Sequence, residues 1–255
     1  MKLGRIRAGV PGEIRPVSHL PSRMAMFNTP AIDLSSRVDE YPMLGNDTVG
    51  DCTIAAAAHI IHTWTAWTDT KPVVMDTETV LSVYEVWCGY NPSDPSTDRG
   101  ALCIDILKNW ARAGMPTPGG GPDIIDGVAY VETPTYRDMY NALRLYGPIY
   151  AGLALPLSAQ HEEVWETVID PPGSWGGHCV AIVGVAPDGA TCITWGQRKR
   201  MTWPWLAAYL DEAYAILSRD WLSMNGQTPA GLPFDELRED LLNATPVIIP
   251  AKGPV

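Results

Sequence analysis

The chain has 255 residues, of which 46% are hydrophobic and 18% are charged, a composition typical of folded globular proteins and unlike that of disordered ones. It is long enough to bury a substantial core, either as one large domain or as two small lobes. The 18 lysines and arginines against 29 aspartates and glutamates give a formal net charge of −11, which argues against a nucleic-acid-binding protein.

Residues 1–43 are predicted to form an extended arm, because five prolines would interrupt any helix in this stretch. Residues 1–24 contain five lysines and arginines against Glu13 alone, so a basic arm precedes an acidic body. Such an arm can dock onto an acidic partner, for example another copy of the chain, or it can be a solvated tail. We therefore expect protein partners or self-association through residues 1–30 and 244–255.

The five cysteines are an odd number at wide spacing, which predicts reduced thiols rather than a disulfide framework. They are Cys52, Cys88, Cys103, Cys179 and Cys192. The N-terminus carries charges but no apolar stretch of signal-peptide length, and no segment approaches the length of a membrane span. These features predict a protein without membrane association that is kept in a reducing compartment.

Helices dominate the first half of the body. Four consecutive alanines favour a helix over residues 52–67, and the apolar spacing predicts two more at residues 77–89 and 101–115. Thr77 is the expected N-terminal cap of the second helix. The stretch PTPGGGPD at residues 116–123 is then the expected boundary between two lobes.

Strands dominate the second half. A short helix at residues 135–146 precedes four apolar runs that predict strands, at residues 148–156, 178–187, 190–196 and 212–222. Helices first and an antiparallel sheet second indicate an α+β fold. The chain is thereby divided into an extended basic arm (1–43), a helical lobe (44–118), a β-rich lobe (119–232) and a C-terminal short helix with a tail (233–255).

Cys52 is the first candidate for chemistry. It immediately precedes the alanine-rich run, so it should lie at the start of a helix, where the macrodipole and the unpaired amides favour a thiolate. A nucleophilic cysteine also needs a base within hydrogen-bond reach. The alternative, that Cys52 is a small core residue, stays open at this point.

Five histidines are the candidates for that base. His59 and His62 lie on the same helix, where their rings would not face the thiol, and His19 and His161 have no supporting context. His178 follows two glycines at the start of an apolar strand, where its ring can project across an interface or be satisfied in the core. No spacing typical of a metal site occurs, and we expect neither a metal nor a cofactor.

The segments NDTVGDCTIAAAAH, GGHCVAIVGV and ITWG follow one another in the order seen in papain-like cysteine peptidases. Segments such as DRGALCIDILKNWARAGMP are similar to the bacterial and phage branch of that family. The chain resembles this family over roughly residues 32 to 222. The resemblance implies a papain-like two-lobe fold, with an N-terminal helical lobe and a C-terminal antiparallel β-sheet or barrel lobe.

The resemblance also implies roles for single residues. Cys52 would be the nucleophile, and His178 would take the thiol proton and later protonate the leaving amine. Asn46 stands where the family has an oxyanion-hole glutamine, and it could donate together with the Cys52 backbone amide. Trp195 matches the tryptophan that shields the partner orienting the histidine, while Trp175 could wall a groove beside Gly176 and Gly177.

One position departs from the family. The asparagine that orients the histidine in the family is replaced by Ile193, whose side chain can accept no hydrogen bond. Thr194 is adjacent but is expected to point to the other face of the strand. Gln197 could substitute only if the turn is rebuilt. Whether the chain is an enzyme is therefore left open.

Two functions follow. The first is a thiol hydrolase, a peptidase or amidase that uses Cys52, His178 and Asn46 on a peptide or protein substrate. The alternative is a catalytically weakened or inactive papain fold, a pseudoenzyme that serves as a structural or interaction protein, such as a component of a phage virion held in an assembly by its terminal arms. The expected location is accordingly cytoplasmic or virion-associated. An enzyme needs an open groove between the lobes, whereas a structural module can fill it.

Overall fold

The structure is a computed structural model, and it describes residues 1–7, 31–68, 71–118, 120–131, 135–222 and 226–243. Within these ranges no helix is both long enough and apolar enough to span a membrane. The predictions made for residues 8–30 and 244–255, including their part in partner binding, lie outside the described residues.

A long buried helix lies at the centre of the molecule. The α-helices of the described ranges are α1 (Cys52–Thr68), α2 (Thr77–Cys88), α3 (Cys103–Ala113), α4 (Tyr136–Tyr146), α5 (Trp203–Tyr209) and α6 (Phe234–Asn243). α1 is buried from Cys52 to Thr65 because its small and apolar side chains meet packed neighbours on every side. The helices predicted for α1 and α4 are confirmed.

A large sheet covers this helix. The strands are β1 (Arg5–Ile6), β2 (Ile32–Asp33), β3 (Ala101–Leu102), β4 (Ile125–Tyr130), β5 (Ile149–Leu155), β6 (Val164–Trp165), β7 (Gly176–Ala186), β8 (Gly189–Thr194), β9 (Gln197–Thr202) and β10 (Leu210–Ser218). The sheet runs in the order β4-β10-β5-β7-β8-β9-β6, with β2 added to β7. Its neighbours are antiparallel except β6 and β9, so the predicted α+β class is confirmed.

The helices and the sheet share one hydrophobic core. The hydroxyl of Tyr150 on β5 donates to the carbonyl of Thr53 on α1 at 3.0 Å. The indole of Trp64 on α1 donates to the carbonyl of Tyr146 on α4 at 3.1 Å. The division into lobes at residues 116–123 therefore remains an interpretation, because the two halves pack as one core.

Several elements differ from the sequence-based expectation. Asp76, rather than Thr77, caps α2, since its carboxylate accepts from the amide of Thr79. α3 begins two residues later than expected, because β3 pairs in parallel with β1 of the N-terminal arm. β4, β9 and α5 were not predicted. β9 reads QRKRMT, whose charged side chains obscure the apolar alternation of a strand, and α5 is too short to show a helical period.

Asp123 is a buried acid next to this core. It accepts a hydrogen bond from the indole of Trp110 at 2.5 Å and is 8% exposed. Burial raises the pKa of Asp123 to about 8, with a further contribution from the carboxyl group of Asp220, while the Trp110 hydrogen bond acts in the opposite direction. The folded state therefore holds a proton on Asp123 that the unfolded chain would release.

In Asp123→Asn, the free energy of unfolding should fall less than in wild type as the pH rises from 5 to 8. An acid whose pKa is raised on folding stabilises the folded state below its unfolded pKa of about 4, and this contribution is lost as the pH rises toward the folded pKa. Asparagine keeps an acceptor for Trp110 and cannot ionise, so at pH 8 its Tm should exceed that of wild type by about a few degrees. Calorimetry at several pH values, with the exposed Asp47→Asn as control, measures this. A variant with the wild-type pH slope would contradict the argument.

Candidate active site

Cys52 is placed by a tight turn at the first residue of α1. The amides of Ile54 and Ala55 donate to the carbonyl of Asp51, which starts the helix. Before it, Leu44 and Gly45 both have positive φ, 62° and 90°, and the amides of the following turn close onto the Gly45 carbonyl. The thiol thus lies where the first-turn amides of a helix have no partner within the helix.

The Cys52 thiol is buried and neutral. Its residue is 1% exposed, and burial raises its pKa to about 12, while backbone hydrogen bonds from Cys179 and Gly4 act in the opposite direction. Cys179 directly follows His178 on β7. The sulfur therefore lies beside the strand that carries the candidate base.

His178 is completely buried, and one of its two ring nitrogens has a hydrogen-bond partner. Its Nε2 lies 2.6 Å from Oγ1 of Thr194, and its ring stacks on that of Trp195 with centroids 4.4 Å apart. Its Nδ1 is buried without a hydrogen-bond partner among the described residues. Burial, followed by the charge of Arg5, lowers the pKa of His178 to about 3, so the ring is neutral.

The expectation that Thr194 points away from His178 is wrong. In the antiparallel pairing of β7 and β8, Ala181 lies opposite Ile193, so these two side chains share one face of the sheet. The alternation then puts Thr194 on the same face as His178 and turns Ile193 to the other face. Gln197 is exposed on β9. The hydroxyl that meets the ring therefore comes from one residue after the position at which the family asparagine was expected.

A two-residue turn sets the tryptophan on the histidine. Thr194 pairs with Gln197, and between them Trp195 and Gly196 have φ of 48° and 70°. Two positive φ values are typical of the hairpin turn that joins twisted strands, and glycine adopts them far more easily than tryptophan. The turn holds the Trp195 indole over the ring of His178. The indole also packs against Trp175, with the two ring centroids 5.6 Å apart.

Asn46 lies before the helix, with both of its amide hydrogens in use. The side-chain nitrogen donates to Oδ1 of Asp51 at 3.0 Å and to the carbonyl of Val49 at 3.2 Å. The other oxygen of Asp51 is buried without a partner among the described residues, and burial raises the pKa of Asp51 to about 7. In this arrangement Asn46 stabilises the turn before Cys52, and it would have to give up one acceptor to donate to a ligand.

The N-terminal arm fills the groove above these groups. β1 runs parallel to β3, and the carbonyl of Gly4 accepts from the amide of Ala101 at 2.7 Å. The carbonyl of Lys2 accepts from the indole of Trp195 at 3.4 Å. Residues 1–7 thus contact the acidic body of their own chain, and the glycine-rich wall that the sequence predicted for the groove faces this arm.

The arm fits only because glycines allow backbone to approach backbone. A Cβ at Gly4 would lie 1.7 Å from the carbonyl oxygen of Gly50, and one at Gly177 would lie 2.2 Å from that of Arg5. A Cβ at Gly176 would lie 2.9 Å from the side chain of Leu3. Gly4 and Arg5 are functional candidates that the sequence reading missed. The only indication of them in the sequence was the basic charge of the arm, and that charge does not identify the acidic surface that the arm contacts.

His59, His62 and the four other cysteines are part of the packing, whereas His161 is exposed and His19 lies outside the described residues. His59 is hydrogen-bonded through Nε2 to the carbonyl of Pro42 at 2.8 Å, and the rings of His59 and His62 pack edge-on against Tyr41. In the part of the chain that the structure describes, no group of three or more His, Cys, Asp or Glu side chains is placed to hold a metal ion.

Solved structures share this fold. Xylellain, a cysteine protease from Xylella fastidiosa, superposes with a TM-score of 0.62 at 15% identity, over 85% of this chain and 96% of that one. The chain has a papain-like fold. A procathepsin B from Trypanosoma congolense matches with a TM-score of 0.60 at 10% identity, over 85% of this chain and 86% of its own. The bromelain protease of Ananas comosus, solved with the E64 inhibitor, matches at 0.53 and 14%, over 74% and 99%.

No protein-family model matches the chain, and no curated protein sequence is significantly similar to it. At identities of 15% or less, the structural likeness shows the fold and does not show the chemistry of Cys52. That question depends on the side chains described above.

Gly4→Val should expose Cys52 to alkylation. The new Cβ cannot coexist with the Gly50 carbonyl, so the arm must leave the groove, and the pKa of the hydrated thiol should fall from about 12. Each unit of that fall raises the thiolate fraction about tenfold at neutral pH. Iodoacetamide labelling of the Cys52 peptide, measured by mass spectrometry at pH 7, should therefore be at least about tenfold faster than in wild type. Ile6→Ala alters an exposed side chain of the same arm and should label slowly, whereas equal rates in Gly4→Val and wild type would contradict control by the arm.

Proposed function

We propose that the chain is a thiol hydrolase for peptide-like amide bonds, with Cys52 as nucleophile and His178 as base, in a resting state closed by its own arm. The observation that carries this proposal is the set of contacts that hold the His178 ring. Nε2 is held by Thr194 and one ring face is covered by Trp195, while the buried Nδ1 has no described partner. Nδ1 of His62 is also buried without a described partner, so what distinguishes His178 is the combination of a free Nδ1 with the hydroxyl on Nε2 and the stacked indole.

The proposed reaction starts with proton transfer from the Cys52 thiol to Nδ1 of His178. This requires the neutral tautomer that carries its proton on Nε2, and the Thr194 hydroxyl can accept that proton in a hydrogen bond. The thiolate then attacks the carbonyl carbon, and the imidazolium protonates the departing amine to leave a thioester. Water, deprotonated by the same ring, hydrolyses the thioester to the carboxylic acid and restores the thiol.

The start of α1 supplies the electrostatics of the developing oxyanion. The backbone amide of Cys52 has no partner within the helix, and the positive end of the helix dipole lies at the same place. Asn46 is the second donor if it exchanges one of its acceptors, Asp51 or Val49, for the oxyanion.

The arm acts as a plug and not as a substrate. The Gly4 backbone is among the groups that lower the pKa of Cys52, which puts the arm beside the nucleophile, and the Gly4 carbonyl is held by the amide of Ala101 at 2.7 Å. The same closure keeps both groups neutral, with a pKa of about 12 for Cys52 and about 3 for His178. Departure of the arm would hydrate both groups and remove the charge of Arg5, and both changes favour a thiolate–imidazolium pair.

A second candidate is a non-catalytic module that has retained the papain-like fold. The filled groove favours it, because a structural protein can keep its groove closed permanently. Within this candidate, membership of a phage particle stays a prediction from the sequence.

Hydrolysis by the opened chain distinguishes the two candidates. Gly4→Val should hydrolyse fluorogenic peptide amides, and adding Cys52→Ala or His178→Ala should abolish this activity. In the active case, Cys52 of Gly4→Val should be alkylated rapidly at pH 5 to 6, and His178→Ala should remove that labelling. No hydrolysis, together with labelling that rises only near the free-thiol pKa of about 8.5, would support the non-catalytic module.

Thr194→Val in the Gly4→Val background should lower kcat. Valine leaves Nε2 of His178 without an acceptor, so the ring can turn and adopt the wrong tautomer, and loss of the orienting group in a serine triad costs about 10⁴-fold. We expect a loss between about tenfold and that limit, with the acidic limb of the pH–rate profile displaced. Thr194→Ser keeps the hydroxyl and is the matched control, expected to retain activity within a few-fold. Equal rates for the valine and serine variants would show that Thr194 does not position the ring.

A further inference from the structure

The side chain of Arg5 occupies a closed acidic pocket formed by β5 and β10. Its Nε and Nη2 donate to Oε1 of Glu212 at 2.7 and 2.5 Å. Its Nη1 donates to Oδ2 of Asp211 at 2.9 Å and to the carbonyl of Leu153 at 3.3 Å. The side chain is 0% exposed, although arginine is among the residues that are least often buried.

The residues that form the pocket belong to the sheet and not to the arm. Glu212 on β10 lies opposite Gly152 on β5, and a Cβ at Gly152 would be 2.3 Å from Nε of Arg5. The second oxygen of Glu212, Oε2, accepts from the hydroxyl of Tyr214 at 2.7 Å. Tyr214 therefore holds the carboxylate so that Oε1 faces the pocket, and the glycine leaves room for a planar guanidinium.

The acceptors of the pocket suit the side chain of arginine better than that of lysine. Three nitrogens of one plane reach three acceptors, on Glu212, Asp211 and Leu153, which a single ammonium on a flexible stem cannot reproduce. Glu212 is 2% exposed, so a departing arm would leave a buried carboxylate without its cation. Such a group favours any ligand that returns a guanidinium to it.

We propose that this pocket is the recognition site for an arginine side chain of the peptide on which the chain acts, and that Arg5 is its intramolecular stand-in. The statement about substrate class rests on the proposed hydrolase function. The binding of an arginine-containing peptide rests on the pocket alone. Asp211 also pairs with the exposed Arg7, at 2.7 and 3.0 Å, so a second basic residue two positions after the arginine adds to recognition.

Binding can be measured without any hydrolysis. The receptor is the full chain with Gly4→Val, Arg5→Ala and Cys52→Ala, in which the arm cannot seat, its arginine no longer competes and the nucleophile is absent. The probe is a fluorescein-labelled peptide of the sequence MKLGRIR, identical to residues 1–7, compared with peptides that carry citrulline or lysine in place of the arginine equivalent to Arg5. Fluorescence anisotropy should show at least about tenfold weaker binding of the citrulline peptide and intermediate binding of the lysine peptide.

Variants of the receptor locate this discrimination. Glu212→Gln should remove most of the difference between the arginine and citrulline peptides, while Asp188→Asn, at an exposed carboxylate, should preserve it. If Glu212→Gln does not give a folded chain by circular dichroism, Asp211→Asn tests the same pocket and should reduce the difference in part. Equal affinity of the receptor for the arginine and citrulline peptides would overturn the proposal.

The two proposals fail in different ways. Discrimination by the receptor with no hydrolysis by Gly4→Val would retain the arginine site and remove the hydrolase, leaving a peptide-binding module. Hydrolysis by Gly4→Val with the same kcat/KM for arginine and citrulline substrates would retain the hydrolase and remove the arginine site.

Discussion

The ion pair between Arg5 and Glu212 is the interaction on which the state of the groove depends. Both side chains are buried, and breaking such a pair by removing one partner typically costs about 3–5 kcal/mol. Arg5 belongs to β1, so this pair anchors β1 to the sheet, and the adjacent Gly4 backbone is among the groups that lower the pKa of Cys52. In the proposed function, this one contact between residues 207 positions apart in the sequence controls whether Cys52 meets water or its own chain.

The chemistry of the site follows from that closure. Removing water raises the pKa of Cys52 and lowers that of His178, so proton transfer from the thiol to the ring is disfavoured while the arm is in place. The positioning contacts of His178 nevertheless remain in place, with Thr194 on Nε2 and Trp195 on the ring face. Closure thus affects the protonation of these two groups while the contacts that orient His178 stay assembled, as the proposed resting state of a thiol hydrolase requires.

The sequence predicts the class of the fold and singles out Cys52 and His178, whose roles stay a proposal, and it fails where long-range register decides. Cys52 and His178 were visible because a helix start and a glycine pair have local signatures. Thr194 was placed on the wrong face, because the pairing of β7 with β8 depends on contacts that no single strand encodes. The position of Arg5 could not be predicted either, because Glu212 and Gly152 form its pocket only once β10 lies beside β5.

Because the plug is part of the chain, a peptide ligand competes with a tethered one. Tethering raises the effective concentration of a ligand, and the apparent affinity of a free competitor is multiplied by the fraction of molecules that are open. A ligand that only repeats Arg5 therefore gains little, whereas one that adds contacts outside the pocket can displace the arm. Arg7, which is exposed and whose partners among the described residues are Asp211 and the Pro172 carbonyl, marks where such contacts would be made. The weak outer end of the arm is the point from which the groove would open.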